Sequence, residues 1–159
     1  MAITEDLEQN VFSIVIADNG HGMNNDLLAT VTNPFTTTRT TRRVGLGLSL
    51  LKAAAERCNG SLTIQSEAQK GTTVTTVFEH NHIDRAPLGD IVSTLMTFLI
   101  GNPQVDLRYH HRVNGNEFEF ETETVKQELG DLPITDPSVV SFLTEYLQTH
   151  ITTLYEGVR

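Results

Sequence analysis

The sequence predicts an α+β fold: a two-layer α/β sandwich, incomplete on its N-terminal side, with a small α+β C-terminal appendage. Three observations predict it. Two runs rich in β-branched residues, 11–17 and 72–79, have the composition of strands. Between them, Leu46, Leu50 and Ala54 recur at helical spacing. Downstream, Asn114-Gly115 separates two segments of strict polar–apolar alternation, the signature of a hairpin.

Residues 1–10 are polar and are expected to be loose. Val11 to Ala17 reads as a buried strand that stops at Asp18-Asn19-Gly20. Asn24-Asn25-Asp26 ahead of Leu27-Leu28 can cap a short helix, and residues 31–44 form a threonine-rich loop broken by Pro34. A helix runs from Gly45 to Asn59, with Asn59-Gly60 as a left-handed stop. Ser61–Ser66 alternates around Leu62 and Ile64, and a turn at Lys70-Gly71 leads into the strand Thr72–Glu79.

The polar stretch 80–84 marks a boundary, so residues 1–83 and 84–159 are expected to be separate domains. In the second, Pro87 fits the first turn of a helix carrying Leu88, Ile91, Val92, Leu95 and Leu99. Counting across Asn114-Gly115 pairs Arg112 with Glu117, His110 with Glu119 and Arg108 with Glu121. The same register sets His111 against Phe118 and Tyr109 against Phe120. A short helix near Val125–Leu129 stops at Gly130. Asp136-Pro137 opens a last helix with Val140, Leu143, Leu147, Ile151 and Leu154 on one side.

The chain has 159 residues, of which 38% are hydrophobic and 19% charged, as expected for a globular chain. Its net charge of −9 makes nucleic acid and anionic membrane poor partners. The N-terminus lacks the pattern of a signal peptide, no apolar run reaches membrane-spanning length, and the one cysteine, Cys58, reads as a packed side chain. A cytoplasmic location is expected.

The glycine clusters carry the chemistry. Asp18, at a strand end, is an acceptor-only carboxylate suited to the exocyclic amine of adenine. Guanine presents a carbonyl there, and the mismatch costs about 1–3 kcal/mol. Gly20 and Gly22 permit a tight turn and close approach, although Asp-Asn-Gly is also an ordinary turn sequence. Gly45 and Gly47 open a helix whose free N–H groups favour phosphate. Arg39, Arg42 and Arg43, three of eleven basic residues, fall in the loop just upstream, which reads either as a triphosphate lid or as a solvated loop. The spacing matches neither the phosphate loop nor the dinucleotide fingerprint.

Ile16-Ala17-Asp18-Asn19-Gly20-His21-Gly22-Met23 resembles the first glycine box of the histidine-kinase-like ATPases, the Bergerat-fold superfamily that includes gyrase, mismatch-repair and heat-shock chaperone ATPases. Asn33 to Thr38 resembles its phenylalanine box, Gly45 to Ser49 its second glycine box, and Ser61 to Val74 its closing strand pair. The resemblance implies ATP or ADP as ligand, with Mg²⁺. It implies that Asp18 reads adenine, that Gly20 and Gly22 line the base and that Thr72 holds its edge. Gly45, Leu46, Gly47 and Leu48 would face the phosphates, and Phe35 would pack beside the lid. The helix that in this superfamily carries the Mg²⁺-binding asparagine has no counterpart in residues 1–10, so it is expected either to lie upstream or to be absent. If absent, turnover is in doubt and an exposed apolar patch is expected. His80 and His82 read as linker residues, with a metal role as the lesser alternative. The rival reading is a non-catalytic interaction module with a degenerate pocket, whose appendage, residues 84–159, binds a protein partner.

Overall fold

The computed structural model describes residues 1–33 and 46–158, which divide into two compact units: residues 3–85, and residues 86–158 together with Met1 and Ala2.

The first unit is built on a sheet in the order β3-β4-β2-β1. Its members are β1 (Ala2–Asp6), β2 (Val11–Asp18), β3 (Ser61–Glu67) and β4 (Gly71–Glu79). β2 and β3 both pair antiparallel with β4. Helix α1 (Asn25–Thr30) is capped by Asn24, whose side chain accepts the Leu27 N–H at 2.9 Å. Helix α2 (Gly47–Arg57) packs on β3 and β4 and makes the second layer of the expected sandwich.

Two expectations fail here. Residues 2–6 form a strand instead of a loose arm. Ile3 is fully buried and Glu5 nearly so, and the alternation was hidden because the second inward residue is charged. Glu5 is matched by His80, whose Nε2 lies 3.1 Å from the carboxylate. His80 is therefore a packed residue, set edge-on to Phe12, and not a linker histidine. Asn10, at φ 57°, closes the β1–β2 turn and bonds Glu79 and Asn81. The second failure is β2 itself, expected to be buried. Phe12 is, packed against Phe78, but Ile16 is 48% exposed.

The second unit contains α3 (Ile91–Gly101), β5 (Arg108–Val113), β6 (Asn116–Glu121), α4 (Thr122–Leu129) and α5 (Pro137–Leu154). The β5–β6 register is the one counted across Asn114-Gly115, pair for pair. Asn114 adopts φ 51°, the conformation that this turn needs. Tyr109, Val113, Phe118 and Phe120 point into a core shared with Leu95 and Leu99 of α3 and Leu143, Leu147 and Ile151 of α5. The helix starts differ from expectation. α3 begins after Pro87 and Leu88, because Gly89 takes φ 77° and Asp90 caps the helix by accepting the Ser93 N–H at 2.9 Å. On α5 the buried stripe starts at Val139, not Val140.

Candidate functional site

Strand register gathers the site. Asp18, the last residue of β2, stands opposite Thr72 at the start of β4, and Thr72 stands opposite Ser66 of β3. Directly paired residues share a face, so the three side chains form a row across one end of the sheet. The same face carries Leu62 and Ile64, the half-buried side of β3, whose other side is exposed; this is the side that α2 covers.

The polarity of α2 places its start at the same end. Its last turn sits at the far end of the sheet, where the Cys58 carbonyl accepts the Glu79 N–H at 3.0 Å. Asn59-Gly60 then reverses the chain into β3, which runs back toward Glu67 and Gly71. An eleven-residue helix spans about 16 Å, so its N-terminus lies toward the Asp18–Thr72–Ser66 row. Leu46 is its N-cap and makes no side-chain capping bond, leaving first-turn N–H groups without a side-chain partner among the described residues.

The loop after β2 is tightly determined. One Asp18 oxygen, Oδ1, accepts the Gly20 N–H at 2.8 Å. Oδ2 has no hydrogen-bond partner among the described residues, and the residue is exposed. A Cβ on Gly20 would press on that same Oδ1 at 2.8 Å. Gly22, at φ +61°, lies on the β3–β4 turn so closely that a Cβ would fall 1.9 Å from the Glu67 carbonyl oxygen. At Gly71, φ +106°, a Cβ would fall 1.9 Å from the Asp18 carbonyl oxygen. The His21 carbonyl accepts the Gln69 N–H at 2.8 Å, locking the two loops together.

Ser66 was not singled out from the sequence, yet it joins both loops. Its hydroxyl accepts the Met23 N–H at 2.8 Å, donates to the Gly71 carbonyl at 3.0 Å and lies 2.9 Å from the Thr72 hydroxyl. Serine has one proton to give. With that proton on Gly71, Thr72 is the donor to Ser66, and the Thr72 oxygen turns its lone pairs toward the row's free side. Counting back across a two-residue turn at Lys70-Gly71 would set Gln69 opposite Thr72; the observed loop is residues 68–70, with Gly71 already paired to Glu67, and that shift brings Ser66 opposite Thr72.

Asp18, Gly20, Gly22 and Thr72 are thus one cluster. Gly47 and Leu48 lie in the first turn of α2, and Leu46 caps it. Gly47 differs from Gly20, Gly22 and Gly71: a Cβ there would meet nothing within 4 Å among the described residues. Ile16, Leu46 and Leu50 are exposed apolar residues of this unit. Phe35, Arg39, Arg42, Arg43 and Gly45 lie outside the described residues. No group of three or more His, Cys, Asp or Glu residues among the described residues is arranged to hold a metal ion, and no described helix is long and apolar enough to cross a membrane.

A family model described as histidine kinase-, DNA gyrase B-, and HSP90-like ATPase matches residues 2–82. Curated relatives each match about half of the chain or somewhat less. A protein of Shewanella frigidimarina, named as a sensor protein, is 35% identical over 79 residues, which are 49% of this chain and 12% of that protein. A Rickettsia conorii protein, named as an NtrY-like sensor histidine kinase, is 27% identical over 52% of this chain and 14% of its own length. The autoinducer 2 sensor kinase/phosphatase LuxQ of Vibrio vulnificus is 34% identical over 42% of this chain and 8% of its own. The chain therefore spans about a seventh or less of the curated relatives it matches.

Proposed function

Since this chain belongs to the histidine kinase-, DNA gyrase B- and HSP90-like ATPase family, we propose that its first unit binds ATP and ADP in a signalling protein of the sensor-kinase kind, with the cytoplasm as the compartment that supplies the nucleotide. The observation that carries the reading is the row formed by Asp18, Thr72 and Ser66 at the end of the sheet toward which α2 points its N-terminus.

The residues fit an adenine nucleotide. Asp18 Oδ2 is an exposed acceptor on a carboxylate already oriented through Oδ1. It accepts from the adenine amine, and Thr72 Oγ1 offers a second acceptor on the same edge. No described residue crowds Gly47, which leaves the backbone at the start of α2 open to a phosphate. Leu46 and Leu48 belong to the same turn and contribute N–H groups to it. The bound nucleotide supplies a phosphoryl group; this chain's own residues bind and orient it. The family uses Mg²⁺ with ATP, and nothing in the Asp18 row is a metal-ligand set.

Titration with a fluorescent ATP analogue, with and without Mg²⁺, tests the reading. Saturable binding, displaced by ADP and weakened at least about tenfold by Asp18→Ala, is expected. Absence of saturable binding, or binding indifferent to Asp18→Ala, overturns it.

A further inference from the structure

The second unit holds a groove that the nucleotide reading does not use. It is about 700 Å³ in volume and runs between β6, α4 and α5. Phe120 and Leu143 form its buried floor, and Val125 and Leu129 of α4 its near wall. Phe142 and Tyr146 line the α5 side. Phe142 is 65% exposed, and its ring stacks on Tyr146 with centroids 6.1 Å apart and planes 24° apart. An exposed aromatic beside an apolar floor is the arrangement of a binding anchor.

The rim is acidic. Glu119, Glu121 and Glu128 all border the groove. Glu121 is partly offset by Arg108 at 3.3 Å, and Glu119 faces His110 at 3.9 Å. Glu128 has no ion-pair partner among the described residues. The imbalance is regional. Residues 86–159 hold eleven Asp or Glu against four Lys or Arg, a difference of seven negative charges out of the chain's net nine.

We infer that this groove docks an amphipathic helix of a partner protein, with an apolar stripe against the Phe142–Leu143–Tyr146 ridge and Lys or Arg on its flanks. The lining residues of α5 recur at i, i+3, i+4 and i+7, from Val139 to Tyr146. That ridge is about 10 Å long and faces two turns of an opposing helix. The charge selects among occupants. A second copy of this acidic chain would bring carboxylates onto carboxylates, and nucleic acid or an anionic bilayer would do the same; a basic helix meets the rim with opposite charge.

The test uses the whole chain and three labelled fourteen-residue probes followed by fluorescence anisotropy: a Leu/Lys amphipathic helix, its Leu/Glu counterpart, and a Leu/Lys peptide of identical composition shuffled to destroy the stripe. The amphipathic Leu/Lys helix should bind saturably, at least about tenfold tighter than either other probe. Phe142→Ser, at an exposed site, should weaken it about tenfold, and Glu128→Lys, which breaks no pair, about threefold, with circular dichroism unchanged. Nucleotide binding should be unaffected in both variants, so failure here is separable from failure of the nucleotide site. Equal binding of the shuffled probe, equal binding of the Leu/Glu probe, indifference to Phe142→Ser, or self-association abolished by Phe142→Ser would each overturn the inference.

Discussion

Asp18 and Thr72 are direct partners across β2 and β4, and the Thr72 hydroxyl lies 2.9 Å from that of Ser66 in the next strand. A carboxylate, a threonine and a serine that are 54 residues apart from first to last numbered position thereby share one edge of one sheet face.

Base selectivity should follow from that row. Competition of ATP and GTP against a fluorescent ATP analogue is expected to favour ATP by about tenfold or more, because a carboxylate pairs with an amine and opposes a carbonyl. Asp18→Asn supplies both a donor and an acceptor at the same size. It should weaken ATP and narrow the preference, and an unchanged ATP:GTP ratio would remove Asp18 from base recognition.

The glycines should separate into two kinds. Gly22→Ala and Gly71→Ala force a side chain into left-handed backbone and against a carbonyl oxygen at 1.9 Å. The backbone conformation alone costs about 1–3 kcal/mol. Both variants should show clearly lowered thermal midpoints. Gly47→Ala adds a Cβ that meets no described residue within 4 Å, at the start of a helix. It should leave stability equal or raised by up to about 1 kcal/mol while weakening nucleotide binding. Thermal melts run beside nucleotide titrations distinguish the two kinds.

Ser66→Ala should act on both loops at once. It leaves the Met23 N–H and the Gly71 carbonyl without their hydroxyl partner. The expected loss of stability is about 1–2 kcal/mol by denaturant titration. Nucleotide affinity should fall severalfold because Thr72 loses its orienting acceptor. Ser66→Thr, which keeps the hydroxyl, should recover part of both.

The helix caps predict an acid dependence. At Asp90 the Ser93 hydroxyl, then its backbone N–H, hold the carboxyl below its ordinary value of 3.8. At Asp136 the Ser138 hydroxyl and then its N–H do the same. A carboxyl whose folded value is depressed stabilises the fold above its unfolded value, and that contribution is lost as pH falls through the folded value. Asp90→Asn and Asp136→Asn should therefore lower the thermal midpoint at neutral pH. The gap from the parent should close as pH is taken down through the carboxylate range. A gap that stays constant with pH would show that the cap charge contributes nothing.

Much of this protein is legible in its sequence where local rules act alone. The hairpin register was fixed by Asn114-Gly115, because a two-residue turn leaves one way to count and both charge and hydrophobicity agree with it. The caps at Asn24 and Asp136 were equally local. Asp18, Gly20 and Gly22 stood out in the sequence as an acid and two glycines at a strand end, but that pattern alone also fits an ordinary turn, and Thr72 was singled out only through the family resemblance. What the tertiary structure decided is where a side chain's partner comes from a distant segment. Strand β1 was unreadable because its second inward residue, Glu5, is charged and finds a partner, His80, 75 residues away. Ser66 gained its role from Met23 and Gly71, on two separate loops. The exposure of Ile16 could not be read from a run of apolar residues, since burial depends on what packs above a strand and not on the strand itself. Local propensity thus set the elements and their turns, while the row of Asp18, Thr72 and Ser66 exists only because two antiparallel pairings bring three strand ends into line.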